Sequence, residues 1–362
     1  MSVASALFRL FEPGANLHWL EWPAYYGISV WFLLASYGDS IWGDDILHLF
    51  LYNGAVQLAL FVVIVQIPTF ITGHMSYVDV GWPLGLVTLA VIALCKGKQT
   101  VRMYLCSICL LLHGLRMAVG ALVLFFPYKW KEDLARYQYA KKRFTDATGK
   151  PGWWWIKQQH DTLMQCFANS VIIAGPIILM STNPKEEVHP VEIVGSAMWA
   201  LFHLTESLAD VQKQKFVVAA KKNGDIRTAV LGHTPYDTKE YWLWTMSRHP
   251  NYFCEWMCWN SFIVMSIPSV IDLFNDEGVD EWAQYGIIVL LFYLSRVFYD
   301  CLVYWTGAEP AESRSVSRRP QYKVHQEKVR VLFPCHVPGF DHKLDPGWPM
   351  NGEEGALMQV ST

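Results

Sequence analysis

Charge is scarce in this chain of 362 residues: Asp, Glu, Lys and Arg together make up 17% and nearly cancel, to a net −3. A chain without a global basic field is not expected to seek nucleic acid. Glycine-rich phosphate loops are missing as well. Neither G-x-G-x-x-G nor G-x-x-x-x-G-K-[ST] occurs, which excludes a Rossmann or P-loop nucleotide site. The eight cysteines do not form the paired clusters in compact loops that a structural zinc site needs. Cys106 and Cys109 sit inside the apolar run YLCSICLLLHG, and Cys254 and Cys258 are four apart on an expected helix. They read as small packing residues or free thiols, and no metal ligand set is expected. Strand-like alternation and internal repeats are absent. The first residues, MSVASALFRLFEPG, make a poor secretory signal and carry only a faint mitochondrial presequence character.

What is present is apolar length. Hydrophobic residues reach 52%, 17 of them Trp, with mean hydropathy +0.18. That is too apolar for an ordinary soluble domain and too polar for membrane spans alone, so a polytopic membrane protein with sizeable loops is expected. A helix needs about 20 apolar residues to cross a bilayer. Runs of that kind lie at 24–38, 46–72, 82–95, 100–127, 162–181, 190–208, 255–271 and 282–305. The expected fold class is all-α, a polytopic membrane helix bundle of seven to eight transmembrane helices. Its parts are an N-terminal segment 1–45 with a first span, a bundle over 46–335, and a tail 336–362.

The loops sort by charge. Segments 129–143 and 313–330 hold six Lys/Arg each and 213–227 holds five, and two spans separate each from the next. The intervening loops DSIWGDD, TNPKEEVHP and DLFNDEGVDE are mostly acidic; only KGKQ at 96–99 breaks the pattern. Excess Lys/Arg marks the cytosolic face, or the matrix face in a mitochondrial inner membrane. Four polar segments are expected to converge there, 74–82, 206–216, 247–255 and 306–330, around a pocket open to the basic side.

Within SRHPNY (247–252), Pro250 suits a helix start and keeps His249 out of the α conformation. A helix N-terminus beside Arg248 is a natural anion site; the alternative is an interfacial turn with Arg248 snorkelling toward headgroups. Glu206 and Asp210 stand one turn apart at the basic end of the 190–208 run, His203 one turn earlier. Acids at the end of an apolar helix are costly unless paired or near water, so they mark either function or ion pairing with Lys213 or Lys215. His74, Tyr77 and Asp79 enter from the same side, and Tyr77 and Asp79 are placed to donate a proton or touch a cofactor.

In chain order the pieces SYVDVGWPLG, LLHGLRMAVGAL, EDLARYQYAKKRF, GSAMWALFHLTESLADVQKQKF, SRHPNYFCEWMCW and AESRSVSRRPQYKVHQEKVRVLFP resemble the steroid 5-alpha-reductase-like integral membrane family. The likeness runs over residues 74–335. It implies a bundle of helices that binds NADPH from the cytosolic side. Asn251 and Glu255 would line the nicotinamide, as would the Glu206, Asp210 and Gln212 cluster. Arg248, His249 and Tyr252 belong to the same motif, with Arg248 and the basic tail suited to the phosphates. Hydride would pass to the β-carbon of an enone in an apolar lipid or steroid-like substrate, with Tyr77 and Asp79 holding the proton-donor place. Two departures stand out: Cys254 occupies a usual glycine position, and Asn260-Ser261 replaces a second small position. The connection DCLVYWTGAEPAESRSV is also lengthened.

Three function classes stay open. One is an NADPH-dependent reductase. Another is a non-catalytic subunit of a membrane assembly, for example a respiratory one, that keeps the fold and contacts other subunits. The third is an S-adenosylmethionine-dependent lipid methyltransferase, because that class shares an R-H-P-x-Y signature. The endoplasmic reticulum is the expected membrane and the mitochondrial inner membrane the alternative.

Overall fold

The structure is a computed structural model that describes residues 40–128 and 132–335. The span expected at 24–38, the presequence-like N-terminus and the tail 336–362 lie outside the described residues. Every regular element among the described residues is helical. The principal helices are α1 (Ile41–Thr72), α2 (Met75–Lys96), α3 (Val101–Tyr128), α4 (Ala135–Thr148) and α5 (Pro151–Thr182). They continue with α6 (Pro190–Asn223), α7 (Pro250–Phe274), α8 (Glu281–Asp300), α9 (Ala308–Arg318) and α10 (Gln321–Lys328).

Six stretches are long and apolar enough to cross a membrane: α1, α2, α3 as far as Val123, α5, α7, and Glu281–Arg318 taken through its π-helical turn. They match six of the expected spans. Helix α6 carries the expected 190–208 run but is less apolar, because Glu192, His203 and Glu206 interrupt it. It also runs on to Asn223, since no glycine or proline stops it before Gly224. Its 34 residues reach about 50 Å at 1.5 Å per residue, well beyond a hydrocarbon core of roughly 30 Å. The stop is a Schellman-type end: Gly224 has φ +76° and Asp225 N–H reaches back to Ala220 O at 3.0 Å.

Apolar side chains face outward in helical stripes. Leu201, Leu204, Leu208 and Val211 are exposed along one face of α6, and Tyr104, Ile108, Leu112, Leu115, Val119 and Val123 along one face of α3. Surfaces this apolar and contiguous belong in lipid rather than in water. The chain is thus a membrane-embedded helical protein. Helix α6 is amphipathic in the reverse sense of a soluble helix: its charged stripe, including buried Glu206, points inward and its leucines outward.

The described chain divides into two compact units. The first takes residues 40–200 and 259–296. Its polar centre is a set of amides in the bilayer-spanning helices α1, α2 and α5. Asn53, Gln57 and Asn169 are fully buried there. Gln57 Nε2 donates to Gly85 O at 2.8 Å, and Asn169 Nδ2 to Trp82 O at 3.0 Å. Asn53 Nδ2 donates to Ser170 O at 3.1 Å, a carbonyl exposed by the π-helical turn Ala168–Ile172 in α5. Lipid tails are as apolar as leucine, so such bonds rather than apolar burial specify the register, at about 1 kcal/mol each. Gly85 leaves room for the close approach: a Cβ there would sit 2.3 Å from Asn169 Nδ2 and 2.5 Å from Gln57 Oε1, so those side-chain ends would have to shift. Buried Arg102, on α3, pairs with Glu192 at 2.7 Å.

The second unit takes residues 201–258 and the described chain from Val297. It holds α6 from Leu201, the connection to α7, the first turns of α7, the end of α8, and α9, α10 and the residues that follow. Phe216, Tyr236 and Tyr241 pack edge to face in it, and Tyr299, Val303, Val331, Leu332 and Phe333 form a second apolar cluster. Trp244 Nε1 donates to Ala209 O at 3.0 Å, which ties the connection to α6.

Candidate functional site

The SRHPNY motif lies within the second unit. Ser247 is extended, and the segment pairs with the chain after α10: Arg248 N–H donates to Arg330 O at 2.8 Å and His249 N–H to Val331 O at 3.1 Å. Ser247 Oγ donates to Leu332 O at 2.8 Å. Pro250 then opens α7, where its missing N–H costs nothing.

Arg248 does not snorkel. It is 2% exposed, and the alternative of a headgroup-seeking arginine is overturned. The cause is Glu312 on α9, itself fully buried. Arg248 Nε donates to Glu312 Oε1 at 2.8 Å and an Nη to Oε2 at 3.2 Å, while the other Nη donates to the carbonyls of Gln326 and Val329. His249 Nε2 meets the same Oε1 at 2.8 Å, and Gln326 Nε2 donates to Oε2 at 2.6 Å. The guanidinium at the expected pocket lip is turned inward to hold the C-terminal segment. His249 stacks flat on Tyr252, with ring centroids 5.0 Å apart. Burial lowers the His249 pKa, partly offset by its bond to Glu312. Burial, with the Arg248 cation beside it, takes His325 down to about 4.

Next to this clamp, α6 and α7 present two polar stripes. On α6 the stripe is His203, Glu206 and Asp210; on α7 it is Asn251, Glu255 and Cys258, spaced so that each set shares a helical face. Two points register them. Asn251 Nδ2 donates to Asp210 Oδ1 at 3.3 Å, and one ligand-type atom from each of His203, Glu206 and Cys258 lies within 4.8 Å of the others. Glu206 and Glu255 are each 5% exposed. Gln212 is buried, and Gln212 Oε1 and Asn251 Oδ1 accept no hydrogen bond among the described residues. Lys213 is exposed, its ammonium 5.6 Å from the centroid of the Trp244 ring. Cys254 is buried on α7 and is not in a disulfide.

The structure therefore gathers Glu206, Asp210, Gln212, Arg248, His249, Asn251, Tyr252 and Glu255 into one unit with Glu312 and Gln326, so that three of the four segments expected to converge share it. The fourth, 74–82, belongs to the first unit. There Asp79 Oδ1 accepts from the Tyr137 hydroxyl at 2.9 Å and pairs with Arg136 at 2.6 Å. Burial and the Asp79 charge raise the Tyr137 pKa well above its usual value. Asp133 accepts the N–H groups of Met75 and Ser76, at 3.1 and 2.9 Å, and so sets the turn that carries Tyr77.

Sequence reasoning missed Glu312, Gln326 and Tyr137. A signal for Glu312 was present: AEPAES puts two acids one turn apart just before a basic segment, in a chain where charge is rare. Residues 65–329 match the family described as "Protein of unknown function (DUF1295)". No curated protein and no solved structure matches the chain. The match covers the greater part of the sequence, both polar stripes and the SRHPNY motif, and the chain accordingly belongs to the DUF1295 family.

Proposed function

We propose that this protein is a membrane-embedded NADPH-dependent reductase of a carbon–carbon double bond in an apolar, enone-bearing lipid. The reading is carried by the α6–α7 seam, in which Asp210 and Asn251 are hydrogen-bonded at 3.3 Å beside buried Glu206 and Glu255. The residues fit the amide end of a nicotinamide. Gln212 Oε1 and Asn251 Oδ1 are buried acceptors without donors among the described residues, and a carboxamide NH2 supplies donors. Exposed Lys213 and Lys215 at the same end of α6 suit phosphate charge; Arg248, spent on Glu312, does not. When bound, the cofactor supplies the hydride. The protein orients it through the Asp210–Asn251 pair, keeps water out with the surrounding apolar helices, and admits an apolar substrate from the bilayer. The reading places the protein in the endoplasmic reticulum with its basic loops toward the cytosol, or in the mitochondrial inner membrane with them toward the matrix.

Titrating NADPH into detergent-solubilised protein tests this by calorimetry. Wild type is expected to bind, and Asn251→Ala to bind at least tenfold more weakly, about 1.4 kcal/mol. Absence of binding at millimolar NADPH would overturn the reading. In that outcome the inward commitment of Arg248 favours a second one, a non-catalytic member of a membrane assembly, with Arg248 and Glu312 kept for architecture. Binding of S-adenosylmethionine in place of NADPH would assign a methyltransferase.

A further inference from the structure

The upper end of the α6–α7 seam carries a different set of groups from the lower end. Where Asp210 meets Asn251 the partners are a carboxylate and an amide. Where His203 and Glu206 meet Cys258 they are an imidazole, a carboxylate and a thiol, one atom of each within 4.8 Å of the others. We propose that His203, Glu206 and Cys258 form a binding site for a transition-metal dication of the zinc class.

Three considerations lead to this assignment. The first is placement. His203 and Glu206 are three residues apart on α6 and so share a face, an i, i+3 pairing of imidazole and carboxylate that serves metals inside helical bundles. Cys258 is fully buried on α7, and Glu206 is 5% exposed. Zinc holds nitrogen and oxygen at about 2.0–2.2 Å and sulfur at about 2.3 Å, which puts its ligand atoms about 3.5 Å from one another. Small rotations of three side chains reach that geometry from the spacing observed.

The second is selectivity. Magnesium and calcium take oxygen ligands, whereas a thiolate with an imidazole selects zinc and its softer neighbours. The third is charge. Taking a carboxylate and a thiolate out of water costs free energy that a bound cation offsets. A dication shared between Glu206, Cys258 and a neutral His203 brings the cluster to zero net charge, the cheapest state for a low-dielectric interior.

The site stands independently of the reductase reading, although the two share Glu206. If both hold, Glu206 ligates metal rather than contacting the nicotinamide.

The test uses full-length protein in detergent, stripped with chelator, re-equilibrated with zinc and desalted. One zinc per chain by elemental analysis is the expected result. His203→Ala and Cys258→Ser should each weaken zinc binding at least tenfold in competition with a chromophoric chelator. Cobalt loading should give a thiolate-to-cobalt charge-transfer band that Cys258→Ser abolishes. Cys254→Ser, which changes the other buried cysteine on the same stretch of α7, should keep both zinc and band. Wild type without stoichiometric zinc, or Cys258→Ser with unchanged affinity and an intact cobalt band, would overturn the site. A thermal melt of each metal-free variant shows whether it is folded, and the conservative Cys258→Ser carries the test if His203→Ala is not. NADPH titration of the same stripped samples reports on the reductase reading separately, so the two proposals fail by different measurements.

Discussion

Replacing Glu312 with Gln should destabilise the protein by about 3–5 kcal/mol. Glu312 is fully buried and its two oxygens accept four bonds: from Arg248 at 2.8 and 3.2 Å, from Gln326 at 2.6 Å and from His249 at 2.8 Å. The amide keeps the shape of the side chain and removes the charge. It leaves the Arg248 guanidinium, with no exposed surface of its own, uncompensated inside the protein. Breaking a buried pair by removing one partner typically costs about 3–5 kcal/mol, most of it the penalty of the stranded charge. The double variant Arg248→Met/Glu312→Met removes both charges and should therefore cost less than either single substitution, with a coupling above about 1 kcal/mol in a mutant cycle. Thermal unfolding in detergent measures the four stabilities, and limited proteolysis after α9 reports whether the C-terminal segment has come loose. If Glu312→Gln melts within about 0.5 kcal/mol of wild type, or if the double variant is worse than the sum of the singles, the clamp argument is wrong.

Acidification should loosen the same region. The His325 pKa falls from its usual value to about 4 through burial and the neighbouring Arg248 cation, so below pH 6.5 the unfolded chain takes up a proton that the folded chain refuses. Stability is full above pH 6.5 and declines as pH falls toward 4, by about 3 kcal/mol at most; a His325→Leu variant should show a flatter decline in melting temperature over that window. Gly232→Ala should cost at least about 2 kcal/mol: the residue has φ +81°, a region that strains an alanine by about 1–2 kcal/mol, and its Cβ would lie 2.1 Å from Trp244 O. An alanine variant that melts like wild type would refute the assignment.

The membrane helices were legible because spanning a bilayer demands about 20 apolar residues in a row, and no context is needed to count them. Pro250 at the first position of α7 was legible for the same local reason: a fixed φ and a missing N–H belong there. The end of α6 was not legible from the 190–208 run, because apolarity stops there while helix propensity does not. A helix ends where its backbone is capped, here at Gly224, and not where it leaves the lipid.

The polar stripes of α6 and α7 could be written down from helical spacing alone, since His203, Glu206 and Asp210 share a face wherever the helix goes. Their pairing could not. Asp210 and Asn251 are 41 residues apart, and the same sequences would allow either helix to turn its stripe elsewhere. The proposed metal ligands escaped a search for paired cysteine motifs because Cys258 lies far along the chain from His203 and Glu206 and meets them only when the two helices are in register.

Arg248 marks the division most sharply. From the sequence it is a cation beside a helix N-terminus near a membrane face, equally suited to a phosphate, a lipid headgroup or an acid. Composition and periodicity determined that this chain is a membrane helix protein with acids where acids are costly. Only the tertiary structure decided which charges neutralise one another, because that depends on bringing α9 against the extended Ser247–His249 segment.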